Sequence, residues 1–284
     1  MQQVPAVRRR KIGSELRRLR DTAGLTSGEV ALRVGWHQSK VSRIETGRSG
    51  VRPEDVTALL DAYDVRDQRL RDMLAALAGG EGARRGWWHE YREELPDTYR
   101  DFISLETDAC RARTLETTVV PGLLQTPDYA RELTRSVLPH LGPRQIATLV
   151  DVRIARQAVL RASPPLELWA VLDEAVLRRR VGGPEVMAAQ LSHLVELGSL
   201  PHVHLQVLPF SAGGHIGVTG PFVIFSFPRI ADLDVVVLDQ LTSSLYLDQE
   251  EDIRAYGAAF NRLRSHALSS EQSLTFISGI GKGA

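Results

Sequence analysis

With 284 residues, 43% of them hydrophobic, the chain is too long for one small domain and has enough apolar residues for the cores of two. Its 35 Lys and Arg balance 35 Asp and Glu, so it is neither basic nor acidic as a whole. Cys110 is the only cysteine, which excludes a fold framed by internal disulfides.

The first eighty residues read as a run of short helices. Ile12, Leu16 and Leu19 fall at helical spacing before a stop at Gly24. Thr26-Ser27-Gly28-Glu29 has the capping-box pattern, a hydroxyl three residues ahead of a glutamate. The second helix follows, with Val30, Ala31 and Val34 inward, and Gly35 supplies a turn. A third runs from about His37 to Thr46, with Val41 and Ile44 inward and Gly47 as a left-handed stop. Pro53 suits the first turn of a fourth helix carrying Val56, Leu59, Leu60 and Tyr63, and a fifth spans about 67–78. Gly79-Gly80-Glu81-Gly82 reads as a linker, placing one domain at 1–80 and a second at 86–284.

Beyond it, helices are predicted over 97–116, 127–137, 142–162, 184–197 and 249–267. Strands are predicted over Leu166–Leu172, His202–Pro209, Phe222–Phe227, Leu233–Leu238 and Ser244–Leu247. The predicted fold is mainly α with an α+β C-terminal domain: five helices, then helices beside a mainly antiparallel sheet. No internal repeat is visible.

The charge is unevenly spread. Residues 1–52 hold twelve Lys and Arg against Glu15, Asp21, Glu29 and Glu45, a net +8, which leaves −8 for the remainder. A basic working surface on an acidic body follows. Two short helices joined by a glycine turn on a basic segment form the motif that lays its second helix in the major groove of DNA. The outward positions of that helix are Gln38, Ser39, Lys40, Ser42 and Arg43. Gln pairs bidentately with adenine, Arg with guanine, and Ser with donors or acceptors. Lys40, Ser42, Arg33 and Arg48 suit phosphates, as do the amide-rich starts of the second and third helices.

The stretch from Leu25-Thr26-Ser27-Gly28-Glu29-Val30-Ala31 through Gly35 to Val41-Ser42-Arg43-Ile44-Glu45-Thr46-Gly47-Arg48 resembles the Cro/C1-type DNA-binding domain of the XRE family over about residues 12–75. The resemblance implies that Gln38, Ser39 and Arg43 read bases, and that Arg20 on the first helix pairs with Glu45 as a structural tie. Ser27 stands where many members have a phosphate-contacting Gln. His37 stands where a Ser or Thr often caps the third helix, so the helix start is looser or His37 itself reaches DNA. Trp36 is expected to pack on the second helix.

The remainder resembles the long C-terminal domain of many actinobacterial XRE-type regulators. The strings that carry this are Gly86-Trp87-Trp88, Val120-Pro121-Gly122-Leu123-Leu124-Gln125-Thr126-Pro127-Asp128-Tyr129-Ala130, Leu172-Asp173-Glu174-Ala175-Val176-Leu177-Arg178 and Gln206-Val207-Leu208-Pro209-Phe210. It implies an antitoxin-like or developmental regulator, often encoded beside a small partner protein.

Residue chemistry in this half points to nothing sharper. Trp87-Trp88-His89 with Tyr91 reads as packing at the domain start, and Asp173-Glu174 are adjacent and point apart. His202, His204 and His215 lack supporting Cys or a metal-site string. Cys110 reads as core, and Arg178-Arg179-Arg180 as a solvated helix end. No nucleophile–base constellation is visible, so no enzyme and no cofactor or metal are expected.

The leading expectation is a sequence-specific transcription regulator of double-stranded DNA. It would act as a homodimer on half-sites about one helical turn apart, with the dimer surface in the C-terminal domain. A second reading is a protein-interaction module that neutralises a small partner protein encoded nearby, and a third is a small-molecule sensor. No apolar run reaches membrane-spanning length and no signal peptide is apparent, so a cytoplasmic protein without a membrane partner is expected.

Overall fold

The computed structural model describes residues 5–78, 87–91, 94–227, 234–240 and 243–282. The predicted linker Gly79–Gly82, Gly86 and Leu233, and the side chains of Trp87 and His89, lie outside the described residues. The chain divides into two compact units, one built on the five N-terminal helices and one on a six-stranded sheet.

The first unit comprises α1 (Pro5–Thr22), α2 (Ser27–Val34), α3 (Gln38–Glu45), α4 (Pro53–Ala62) and α5 (Gln68–Ala78). The periodic apolar residues meet in one core, with Ile12, Leu16, Val30, Val41, Ile44, Val56, Leu59 and Leu60 all nearly inaccessible. That burial drives five helices, several too short to persist alone, into one bundle. Gly24, Gly35 and Gly47 each hold a positive φ near 70°.

In the second unit, α6 (Asp97–Asp108) leads into β1 (Arg111–Glu116). After α7 (Pro127–Val137) and α8 (Pro143–Arg156) come β2 (Glu167–Asp173), α9 (Glu174–Arg178), α10 (Pro184–Leu197) and β3 (Val203–Leu208). The chain then forms β4 (Phe222–Ser226), β5 (Val235–Asp239), β6 (Ser244–Leu247), α11 (Glu250–His266) and α12 (Ser270–Lys282).

The strand order is β3-β2-β1-β4-β5-β6. β1–β2 and β2–β3 are parallel, while β1–β4, β4–β5 and β5–β6 are antiparallel. The helix predicted over 97–116 therefore ends at Asp108, and its last third is the central strand β1. That strand joins a parallel half, which needs helical crossovers, to an antiparallel half closed by shorter links. α11 covers one face through Phe260 and Leu263, packed with Leu115, Val171, Ile224 and Val236. Cys110, expected in the core, is exposed ahead of β1, and its Sγ donates to the Ser226 carbonyl at 3.3 Å.

Candidate nucleic-acid interface

The interface is built on α2, the turn at Gly35 and α3. Thr26 caps α2: its Oγ1 accepts the Glu29 amide at 3.2 Å, and the Glu29 carboxylate accepts the Thr26 amide at 2.8 Å. The Thr26 amide and the Thr26 hydroxyl both donate to the Glu29 carboxylate at 2.8 Å and hold it below its ordinary pKa. At Gly35 the left-handed backbone returns its amide to Ala31 and Leu32, and the Trp36 amide follows to Ala31 at 2.8 Å. This is glycine chemistry, because a Cβ disfavours that conformation. His37 is the N-cap of α3, and its side chain makes no cap hydrogen bond.

The far end of α3 is held against α1. A Cβ on Gly13 would stand 2.3 Å from the Ile44 carbonyl oxygen, and one on Gly47 would stand 2.7 Å from Arg10 backbone atoms. The backbones approach this closely because neither position carries a side chain. Arg20 adds a buried tie: Nε donates to Glu45 Oε1 at 2.8 Å and Nη2 to Oε2 at 3.0 Å. Its Nη1 donates to the Leu25 carbonyl at 2.7 Å. One guanidinium therefore joins α1, the α1–α2 loop and α3, and the Glu45 bond raises the Arg20 pKa. The Tyr63 hydroxyl reaches Glu45 at 3.3 Å, and burial pushes its pKa far above the ordinary value. No sequence signal marked Tyr63 as more than core.

With its inner side fixed, α3 presents Gln38, Ser39, Ser42 and Arg43 to solvent, flanked by exposed His37 and Arg48. Gln38 donates Nε2 to Ser27 Oγ at 3.0 Å, joining the starts of α2 and α3. Lys40 is engaged: its Nζ contacts Asp55 at 2.9 Å and lies 3.5 Å from the centre of the Trp36 ring. Trp36 thus meets α3 through Lys40, which itself reaches α4 at Asp55. Arg33 donates to the Ala62 carbonyl at 2.8 Å, closing the end of α4. Arg43 and Arg48 have no such partner among the described residues.

In the second unit the long string at 120–130 is a buried polar junction. The Tyr129 hydroxyl accepts the Val120 amide at 3.1 Å. Gln190 accepts the Thr126 amide at 2.8 Å and donates to the Leu124 carbonyl at 2.7 Å, and Gln157 donates to the Gly122 and Gln125 carbonyls. Nearby, Arg156 forms a bidentate pair with Glu106, at 2.8 and 2.7 Å, both buried. The string thus has a structural job, and Gln157, Gln190 and Arg156, absent from the sequence reading, complete it.

The histidines are dispersed. His202 bonds the Leu160 carbonyl at 2.8 Å, and His215 lies 3.7 Å from Asp173. His204 stacks on Trp169 at 3.8 Å, Arg264 lies 3.9 Å from the centre of the same Trp169 ring, and burial lowers the His204 pKa. Among the described residues no three His, Cys, Asp or Glu converge as metal ligands. No described helix is long and apolar enough to cross a membrane. Trp88 and Tyr91 are half-buried in a 3-10 turn.

A family model described as a helix-turn-helix domain matches residues 11–74, and one described as a domain of unknown function (DUF5753) matches residues 99–279. No curated protein and no solved structure matches the chain.

Proposed function

As the chain belongs to the DUF5753 family and carries a helix-turn-helix domain ahead of that region, we propose that it is a sequence-specific, XRE-type transcription regulator that sets α3 in the major groove. The observation that supports this most is the solvent face of α3, where Ser39 and Arg43 stand exposed on a helix whose other side is locked by Glu45 and Gly13. A rigid helix with free polar side chains is what base readout requires. Gln38, Ser39 and Arg43 are the proposed base contacts. Arg48, His37, Ser42 and Ser27 are the proposed phosphate contacts, and the uncapped amides at the start of α3 strengthen that end for an anion. Arg33 and Lys40 belong to the same set only at the expense of their bonds to Ala62 and Asp55.

One bundle contacts few base pairs, so the proposal includes a homodimer on two-fold-related half-sites about 34–36 Å apart. The test is selection from a random duplex pool with the purified chain. Enrichment of a palindromic site, bound about 10³-fold or more over random duplex at physiological salt, is the expected result. Binding that is indifferent to sequence at every salt concentration overturns base readout by α3.

A further inference from the structure

The arginine run at 178–180 does not behave as a uniform solvated end. α9 stops at Arg178 and Arg179 is extended, so successive side chains leave on opposite sides. Arg179 turns to the Thr118 carbonyl at 3.0 Å. Arg178 and Arg180 instead line a groove of about 440 Å³ between α9, α10 and α12. That volume lies within the span of small-molecule sites, about 300–1,000 Å³.

The floor is apolar, formed by Leu177, Met187, Leu191, Phe276 and Ile280, and no carboxylate lines it. Glu174, the acid bonded to Arg178, is committed: one oxygen takes Arg178 Nε at 2.5 Å and the other takes the Phe210 amide at 2.8 Å. Its bond to Nε leaves the outer nitrogens of Arg178 available, and Arg180 has no partner among the described residues. Gly279 is a further oddity. It sits inside α12, where glycine costs roughly 1 kcal/mol relative to Ala, yet nothing lies within 4 Å of where its Cβ would be. No packing constraint in the fold requires a glycine there, and its absent side chain keeps the groove open.

We propose that this groove binds a small carboxylate-bearing amphiphile, with its apolar body on Met187, Leu191, Phe276 and Ile280 and its carboxylate against Arg178 and Arg180. The two guanidinium groups in the lining suit a carboxylate, and the acid-free lining disfavours a cation. The site is independent of the DNA-binding reading.

The test is calorimetric titration of the full chain with decanoate, decanol and decyltrimethylammonium. Decanoate should saturate at one per chain, decanol should bind at least tenfold more weakly, and the cation should not bind. Arg180→Glu should weaken decanoate tenfold or more and leave decanol unchanged. Gly279→Leu should abolish both while keeping or raising the thermal midpoint, since leucine favours a helix interior. Equal binding of the cation, or undiminished decanoate binding by a folded Gly279→Leu chain, overturns the proposal. So does a lack of saturable decanoate binding, which leaves the groove to an acidic protein segment.

Discussion

Arg43 and Lys40 stand three residues apart on one helix and have opposite situations. Arg43 is free, so Arg43→Ala should leave the thermal midpoint nearly unchanged, cost about 1–3 kcal/mol at the selected site and relax preference at one base position. Equal affinities of the variant and the parent for selected and random duplexes would show that Arg43 reads no base. Lys40 is tied to Asp55 and Trp36, so Lys40→Met should lower stability, by about 0.5–1 kcal/mol, before any effect on DNA is counted. The buried Arg156–Glu106 pair is a third case. Glu106→Leu alone removes the carboxylate that neutralises a buried guanidinium and should cost about 3–5 kcal/mol in urea unfolding, whereas Glu106→Leu with Arg156→Met should recover most of that loss. Glu116 gives a pH signature. Burial raises its carboxyl from 4.5 to about 8, so the folded chain keeps a proton that the unfolded chain releases. Its contribution to stability therefore falls as pH rises from about 4.5 to 8. Glu116→Gln should stabilise the chain relative to the parent at pH 8, with the difference vanishing below pH 4.5.

At the scale of elements, α3 is tied to α1 at its C-terminal end and lacks a side-chain cap at its N-terminal end. His37→Ser supplies the missing oxygen acceptor and should raise stability by about 0.5–1 kcal/mol, read as a higher thermal midpoint. His37→Asp should do the same and also weaken DNA binding, because the carboxylate then occupies the anion-attracting end of the helix. Gly13→Ala should fail in the opposite way, costing about 1–3 kcal/mol through overpacking against the backbone of α3. The helices of the first unit were legible because each carries its own punctuation, such as Thr26 with Glu29, Gly35, Gly47 and Pro53. β1 was not, because Arg111, Arg113 and Glu116 interrupt the apolar pattern expected of a central strand. Arg111 and Arg113 meet distant partners, Glu167 at 2.7 Å and Asp234 at 3.2 Å. α12 carries a readable signal of its own. Ser269 and Gln272 form a reciprocal cap, at 3.0 and 3.2 Å, and the hydroxyl–amide spacing is the same as at α2. In the candidate interface, the outward residues of α3 follow from helical period alone. The capture of Arg33 by Ala62 and of Lys40 by Asp55 does not, since both acceptors lie on α4.

For the whole molecule, the zero net charge conceals a basic N-terminal fifth and an acidic remainder. Affinity for any duplex should fall steeply with salt, and Arg48→Ala should reduce the slope of log K against log salt by about one unit while leaving base preference intact. The two units also differ in how far apart their contacting residues lie along the chain. The helix-turn-helix needs only neighbours within the first eighty residues. β1 pairs with Glu167–Leu172 on one side and Phe222–Ser226 on the other. A growing polypeptide can therefore close its five-helix bundle early, while β1 waits with an unpaired edge until β4 has left the ribosome. Any nascent chain stalled between β2 and β4 would present a folded helix-turn-helix attached to an open sheet edge, a ready template for pairing with another chain.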